Sequence, residues 1–323
     1  MNICFATSEC VPYAKTGGLA DVAGSLPIAL DRLGHQVKLF MPLYQSINTM
    51  EHHLVHAADL GNITVQIGNK RVAFFTWYGK LGDSDVEVYL IDCPTYFHRP
   101  GLYTSDRDED ERFILLQHAA FKIMQRYGWS PDVIHCNDWH TALMPALLRE
   151  SYSWDKLFGN TGSVLTIHNI GYQGRFHEGS AYAAGLRVPV QSGSFSFLRT
   201  GLLYADAITT VSETYAREIQ TSSFGAGLDP ILASRNADVF GIVNGIDVDA
   251  WNPKTDPFIA KHYTSRSLGR KLENKKSLLE DMGLPFDPDV PVIGIVSRFT
   301  SQKGLELLEP ILWDLVGLPA QFV

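Results

Sequence analysis

Cysteine is scarce. The 323 residues hold four, Cys4, Cys10, Cys93 and Cys136, and no two form a Cys-x-x-Cys pair. That excludes a thioredoxin-like redox motif or a zinc ribbon, and no metal site is expected. Three of the four lie in or near apolar runs, where a free cysteine serves as a small core residue, as in a reducing cytosol. Long apolar runs are missing too. None approaches the ~20 residues that cross a bilayer. Met1 leads straight into a short strand with no basic region before it, so neither a membrane span nor a signal peptide is expected. Positive charge is also short, with Lys+Arg 27 against Asp+Glu 35 and a net charge of −8. Nucleic acid is therefore excluded as the main partner. Neither Gly-x-x-x-x-Gly-Lys-Ser/Thr nor Gly-x-Gly-x-x-Gly occurs. No solenoid-length repeat or low-complexity tract is present. The expectation is a soluble, cytoplasmic protein.

What is present is a chain with ample core, 45% hydrophobic and 19% charged. It is too long for one ordinary domain and short for two large ones. Its organising stretch is Lys15-Thr16-Gly17-Gly18-Leu19-Ala20-Asp21-Val22. This stretch joins an apolar strand, Ile3 to Thr7, to a helix whose expected buried face is Leu19, Val22, Leu26, Leu30 and Leu33. Paired glycines let the backbone turn tightly and let a ligand approach the main chain. The first-turn N–H groups, the helix dipole and the Lys15 charge suit an anion. A plain strand-to-helix turn with an exposed lysine accounts for the same residues.

Val37 to Met41 reads as a second strand, giving a βαβ unit and a parallel sheet. Residues 61–92 alternate in period two around turns, predicting an antiparallel meander beside that sheet. Residues 109–127 read as a helix that buries Phe113, Leu116, Ala120, Ile123, Met124 and Tyr127. The acids Asp106, Asp108, Glu109, Asp110 and Glu111 read as its solvated cap. Strands and helices then alternate: Asp132–Cys136, a helix Thr141–Leu148, Val164–Ile167, a helix Leu198–Tyr204, Ala207–Val211, a helix capped by Ser212, a helix around Ile231, and Val239–Val243. The fold class is α/β, a doubly wound Rossmann-like domain over 1–247. A Pro-rich segment, 248–290, with a basic helix within it, reads as an interdomain linker. Residues 291–323 read as the start of a second Rossmann-like domain, with a strand Val292–Val296 and a helix Gly304–Val316. The tail Ala320–Val323 reads as a strand with nothing to pair it, so the expectation is a chain cut short.

Ligands of doubly wound sheets collect at the carboxyl ends of the strands. Four polar clusters fall there: the Lys15–Gly18 turn, Asn137-Asp138-Trp139-His140, His168-Asn169 through Tyr172-Gln173-Gly174, and Asn244-Gly245-Ile246-Asp247. Each has a structural account. Asp138 suits a helix cap, His168 a satisfied core position and Asn244 a left-handed turn. Together they are expected on one rim.

These motifs, with Phe-Gly-x-Gly-Leu at 224–228 and Ser-Arg-x-Thr-x-Gln-Lys-Gly at 297–304, resemble the bacterial glycogen synthase and plant starch synthase family along essentially the whole chain. The resemblance implies a GT-B fold and retaining transfer of glucose from ADP-glucose to the non-reducing 4-hydroxyl of an α-1,4-glucan, glycogen or starch-like, in glycogen biosynthesis. It implies no metal or cofactor. By resemblance, Arg298 and Lys303 hold the donor diphosphate and stabilise departing ADP. Lys15 with Gly17 and Gly18 closes onto the donor, and Asp21 supports that loop or a sugar hydroxyl. His168 and Asn244 surround the transferred glucose, Asn169, Tyr172 and Gln173 belong to the substrate-binding set, and Asp138 and Trp139 lie near the acceptor. Lys15, Asp138, His168, Arg298 and Lys303 are the expected catalytic set. The family's further Gly-rich loop and glutamate do not occur before Val323, so the 323 residues alone are expected to be inactive. A glucan-binding or regulatory protein without a donor domain is the alternative.

Overall fold

The computed structural model describes residues 1–188, 193–300 and 303–323, in two compact units, Met1–Ile246 and Asp247–Val323. In the first unit, β1 (Asn2–Ala6) runs into α1 (Gly18–Arg32) and β2 (Gln36–Pro42). Both strands are buried almost end to end, as expected where helices cover both sheet faces. β3 (Val55–His56), β4 (Ile63–Ile67), β5 (Lys70–Lys80) and β6 (Glu87–Asp92) follow. β5 pairs antiparallel with β3, β4 and β6, while β6 itself joins the parallel sheet beside β2. The meander is therefore an extension of the main sheet.

α2 (Pro94–Phe97) and α3 (Glu109–Tyr127) lead to β7 (Val133–Asn137), α4 (Met144–Arg149) and β8 (Gly162–Ile167). Gly128, at φ +59°, ends α3 in the left-handed conformation open to glycine. β9 (Arg175–His177) and β10 (Ser194–Ser196) form a hairpin around α5 (Gly179–Ala183), which the sequence reading missed. α6 (Phe197–Tyr204), β11 (Ala207–Thr210), α7 (Glu213–Glu218), α8 (Asp229–Ser234) and β12 (Val239–Gly241) complete the unit. Ser212 caps α7 as expected, accepting from the Tyr215 N–H at 2.9 Å. Strand order is β12-β11-β8-β7-β1-β2-β6-β5-β3, parallel from β12 to β6. The chain builds outward from β1 through β2 to β6, then returns to β7 on β1's other side. The topological switch lies between β1 and β7, where an open α/β sheet leaves a crevice.

Some expected faces differ. α1 buries Leu19, Ala20, Ala23 and Pro27, with Leu26 and Leu30 partly covered, and Leu33 is exposed because the helix has already ended there. Tyr127 is likewise exposed at the last turn of α3. The acidic run is a solvated cap only in part, with Asp106 exposed and Asp108 and Glu111 half-buried. Glu109 and Asp110 are buried, as is Arg112, and Glu109 pairs with Arg112 while Asp110 accepts from Ser180 Oγ at 2.5 Å. A buried acid is stable only when donors surround it, and these have them. Asp106 and Asp108 pair with Arg99.

The second unit holds α9 (Lys271–Asp281), β13 (Val292–Ile293), α10 (Leu312–Val316) and β14 (Gln321–Phe322). The tail is paired after all, β14 running parallel to β13. The strand expected over Val292–Val296 keeps only its first two residues. The helix expected over Gly304–Val316 is broken into 3₁₀ turns at Leu305–Leu307 and Glu309–Ile311 before α10. Pro310 lacks an N–H and disfavours helical backbone before it. Leu307, Leu312, Trp313 and Val316 are exposed, so little packing holds a helix together there.

Candidate active site

The carboxyl ends of β1, β7 and β8 meet through side chains. Asn137 closes β7, donating from Nδ2 to the Ala6 carbonyl at the end of β1 (3.1 Å). Its Oδ1 takes a 3.0 Å hydrogen bond from His168 Nε2 just beyond β8. An amide oxygen only accepts, so Nε2 carries the proton and His168 Nδ1 keeps its lone pair. Asp138 sits at φ +54°, a left-handed conformation rare outside glycine. Its Oδ1 accepts from the N–H groups of His168 (2.8 Å) and Asn169 (3.3 Å). Burial raises the Asp138 carboxyl to about 7 against the pull of those two bonds, with the Glu9 carboxylate adding to the rise. Burial lowers His168 to about 4, so its ring is neutral at pH 7.

Trp139 lies beneath this junction, against Phe113, Phe176 and Phe197. Gly174 is pressed on it: at φ +55° a Cβ there would lie 2.3 Å from Trp139 Cε3. His140 stacks between Trp139 and Tyr103, with its Nδ1 buried and unpartnered.

The Lys15–Gly18 turn precedes α1, whose N-cap is Gly17. The expected set of open N–H groups is smaller than the sequence suggests. Glu9 Oε2 accepts from the backbone N–H of Thr16 and of Gly17 (3.2 Å). The N–H groups of Gly18 and Leu19, at the first two helical positions, have no acceptor within the helix. Lys15 Nζ reaches Asp21 at 2.7 Å, both side chains about half exposed at 52%.

The remaining expected residues divide. Tyr172 is exposed, and Asn169 Oδ1 accepts from the Gly171 N–H in a local turn. Gln173 turns inward: Arg175 donates to its Oε1, and its Nε2 donates to the Ala226 carbonyl (3.0 Å). That bond ties the 168–174 and 224–228 motifs together and commits the Gln173 side chain to the scaffold. The strand before Asn244 ends at Gly241, and Asn244 is exposed beyond it, with no bond to the other clusters among the described residues. β11 stands between β12 and β8. Direct bonds thus join the 137–140 and 168–174 clusters, the Lys15–Gly18 turn is held by Glu9 beside them, and the Asn244 cluster stands apart. Arg298 and Lys303 are exposed in the second unit, and Ser301 and Gln302 of their motif lie outside the described residues. Gly304 begins a three-residue turn, not the helix expected to face a phosphate.

Glu9, Tyr103 and Arg175 were not foreseen, and His140 was named only within its cluster, without a role. The polar Thr7-Ser8-Glu9 directly after the first strand was a visible signal for Glu9. Tyr103 meets Glu9 and Ser8 across 94 and 95 positions, whereas Arg175 donates to Gln173 two residues away. Asp106, Asp108 and Asp110 form overlapping Asp-x-Asp pairs, but their carboxylates go to Arg99 and Ser180. No group of three or more His, Cys, Asp or Glu placed to hold a metal occurs among the described residues.

Comparison with known proteins gives the family. The family model for the starch synthase catalytic domain matches residues 2–234. The glycogen synthase of Syntrophotalea carbinolica is 42% identical over all of this chain and 68% of its own length. Glycogen synthase 1 of Geobacter metallireducens is 39% identical, with 66% of its length covered. The chain thus spans about two thirds of these relatives. Among solved structures, the catalytic domain of starch synthase IV from Arabidopsis thaliana, bound to ADP and acarbose, matches 99% of this chain and 67% of its own. The TM-score is 0.91 and the identity 30%.

Proposed function

The chain belongs to the glycogen and starch synthase family of glycosyltransferases, and on that premise we propose that it transfers glucose from ADP-glucose to the non-reducing-end 4-hydroxyl of an α-1,4-glucan, with retention, in glycogen biosynthesis. The observation that carries the reading is the junction at the sheet's switch point. There a buried Asp138, a neutral His168 and the Lys15–Gly18 turn stand at neighbouring strand ends. Lys15 and the N–H groups of Gly18 and Leu19 meet the donor's anionic end, where backbone donors and a full charge stabilise developing negative charge. His168, Asn169, the exposed Tyr172 and the exposed Asn244 contact the transferred glucose. Asp138 and Trp139 stand at the acceptor side. Arg298 and Lys303 offset the charge on departing ADP. The reading invokes no metal and no cofactor, and it puts the enzyme in the cytoplasm; no helix among the described residues is long and apolar enough to cross a membrane.

The chain spans about two thirds of its relatives' length, and the reading expects little or no transfer by these 323 residues alone. The test uses labelled ADP-glucose or UDP-glucose with glycogen, and compares the product of the complete gene with these 323 residues alone. The expected result is amylase-sensitive label from ADP-glucose with the complete product only. Turnover by the 323 residues overturns the inactivity. Glycogen retention without transfer by the complete product overturns the enzyme reading in favour of a glucan-binding protein.

A further inference from the structure

Glu9 lies three residues past β1 and is 4% exposed. Its Oε2 accepts from the N–H groups of Thr16 and Gly17. Its Oε1 accepts from Thr16 Oγ1 (2.9 Å) and Tyr103 Oη (2.8 Å). Successive backbone N–H groups in a turn form an anion-binding concavity, and here the chain fills it with its own carboxylate. Tyr103 is held in turn. Its hydroxyl spends its one proton on Glu9, so Ser8 Oγ donates to it at 2.8 Å, and its ring stacks on His140 with centroids 4.6 Å apart. The segment carrying it is clamped from α3. Arg112 donates to the carbonyls of Tyr96 (2.7 Å) and Leu102 (3.0 Å), and Glu109 accepts from Thr104 N (3.1 Å) and Oγ1 (2.6 Å). A set of largely part-buried bonds therefore links the acidic start of α3, through the segment that carries Tyr103, to the Lys15–Gly18 turn.

We propose that Glu9, braced by Tyr103, is a positioning residue that holds this turn in the one conformation presenting Gly18, Leu19 and Lys15 to the anionic end of the donor. The proposal rests on the glucosyltransferase reading. Because Glu9 occupies the Thr16 and Gly17 N–H groups, the donor is met only by the groups beyond them. Glu9 never touches the donor. It acts through the turn.

Glu9→Ala, Glu9→Gln and Tyr103→Phe separate this from a merely structural role. Glutamine places Oε1 on the two N–H groups and Nε2 toward the hydroxyls of Tyr103 and Thr16, so it keeps the geometry and loses the charge. In the complete gene product, Glu9→Ala is expected to lower kcat/KM for ADP-glucose about 10²-fold, the scale of a misplacement near 1 Å. The KM for glycogen stays unchanged, while the melting temperature falls because Thr16, Gly17 and Tyr103 lose their acceptor. Glu9→Gln restores activity to within about threefold, and Tyr103→Phe falls between. Wild-type kinetics for Glu9→Ala overturn the proposal. So does a Glu9→Gln as impaired as the alanine, or a joint loss of donor KM, glycogen KM and melting temperature. A wild-type enzyme that transfers no glucose instead refutes the functional reading. The hold on the turn is then still decided by amide hydrogen exchange on the 323-residue chain: Thr16 and Gly17 should exchange at least about tenfold faster in Glu9→Ala, and equal rates overturn the proposal.

Discussion

Replacing Asp138 by asparagine should stabilise the protein at alkaline pH while damaging its chemistry. The carboxyl ionises at an ordinary value of 3.8 in an unfolded chain and near 7 in the fold, because burial penalises the charge. Between pH 4 and pH 7 the folded state keeps a proton that the unfolded chain has lost. Asp138's contribution to stability therefore falls as the pH rises across that window and is level above it. The whole fall is about 4 kcal/mol at most, at 1.36 kcal/mol per pKa unit. An asparagine Oδ1 still accepts from the His168 and Asn169 N–H groups and never ionises. The assay is urea unfolding of parent and Asp138→Asn followed by tryptophan fluorescence at pH 5 and pH 8. The variant should be more stable by about 2–4 kcal/mol at pH 8 and within about 1 kcal/mol of the parent at pH 5. Glucosyl transfer by the complete gene product should fall about 10²-fold at either pH. The same stability difference at both pH values, or a variant less stable at pH 8, refutes the reasoning.

Other outcomes follow from the same geometry. Gly174→Ala forces a left-handed φ on a residue with a Cβ and drives that Cβ into Trp139, at a combined cost of about 2–5 kcal/mol. A lowered melting temperature with altered tryptophan emission checks it. Lys15→Ala removes a half-exposed ion pair with Asp21 and should change stability by less than about 1 kcal/mol, while raising the KM for ADP-glucose about tenfold at unchanged glycogen KM; a melting-temperature change with no kinetic effect refutes it. Burial lowers His118, His135 and His168 to about 4 and His140 well below its ordinary value. These four lend stability above pH 6.5 that is lost as the pH falls toward 4, outweighing the single opposing Asp138, so acid unfolding by circular dichroism should develop across that window. Arg112→Met strands buried Glu109 without its ion-pair partner, a loss of about 3–5 kcal/mol visible as a lower melting temperature.

Local signals carried the parallel sheet and much of the site because they depend on neighbours in sequence. Glu109–Tyr127 emerged with its expected bounds, since period and glycine stop are both written locally. Asn137, Asp138 and His168 were legible as polar residues ending apolar strands. What local signals could not carry is pairing at a distance. Glu9 meets Tyr103 across 94 positions, and Gln173 turns in toward Ala226 across 53. Neither has a periodicity to betray it. The acidic run before α3 shows why such residues are misread. An acid at a helix N-terminus satisfies the dipole equally well in water or in the core. The decision rests with Arg112, whose side chain is wholly buried and which stands three residues after Glu109 as an ordinary helix-surface ion pair would. Its guanidinium also binds the Tyr96 and Leu102 carbonyls. The pair is thereby drawn inward to hold the loop that carries Tyr103. A buried charge is favourable only with its donors and acceptors filled, so Glu109, read as solvent-facing, is buried beside an Arg112 that binds the carbonyls of an irregular segment. That segment is the one that braces the Lys15–Gly18 turn.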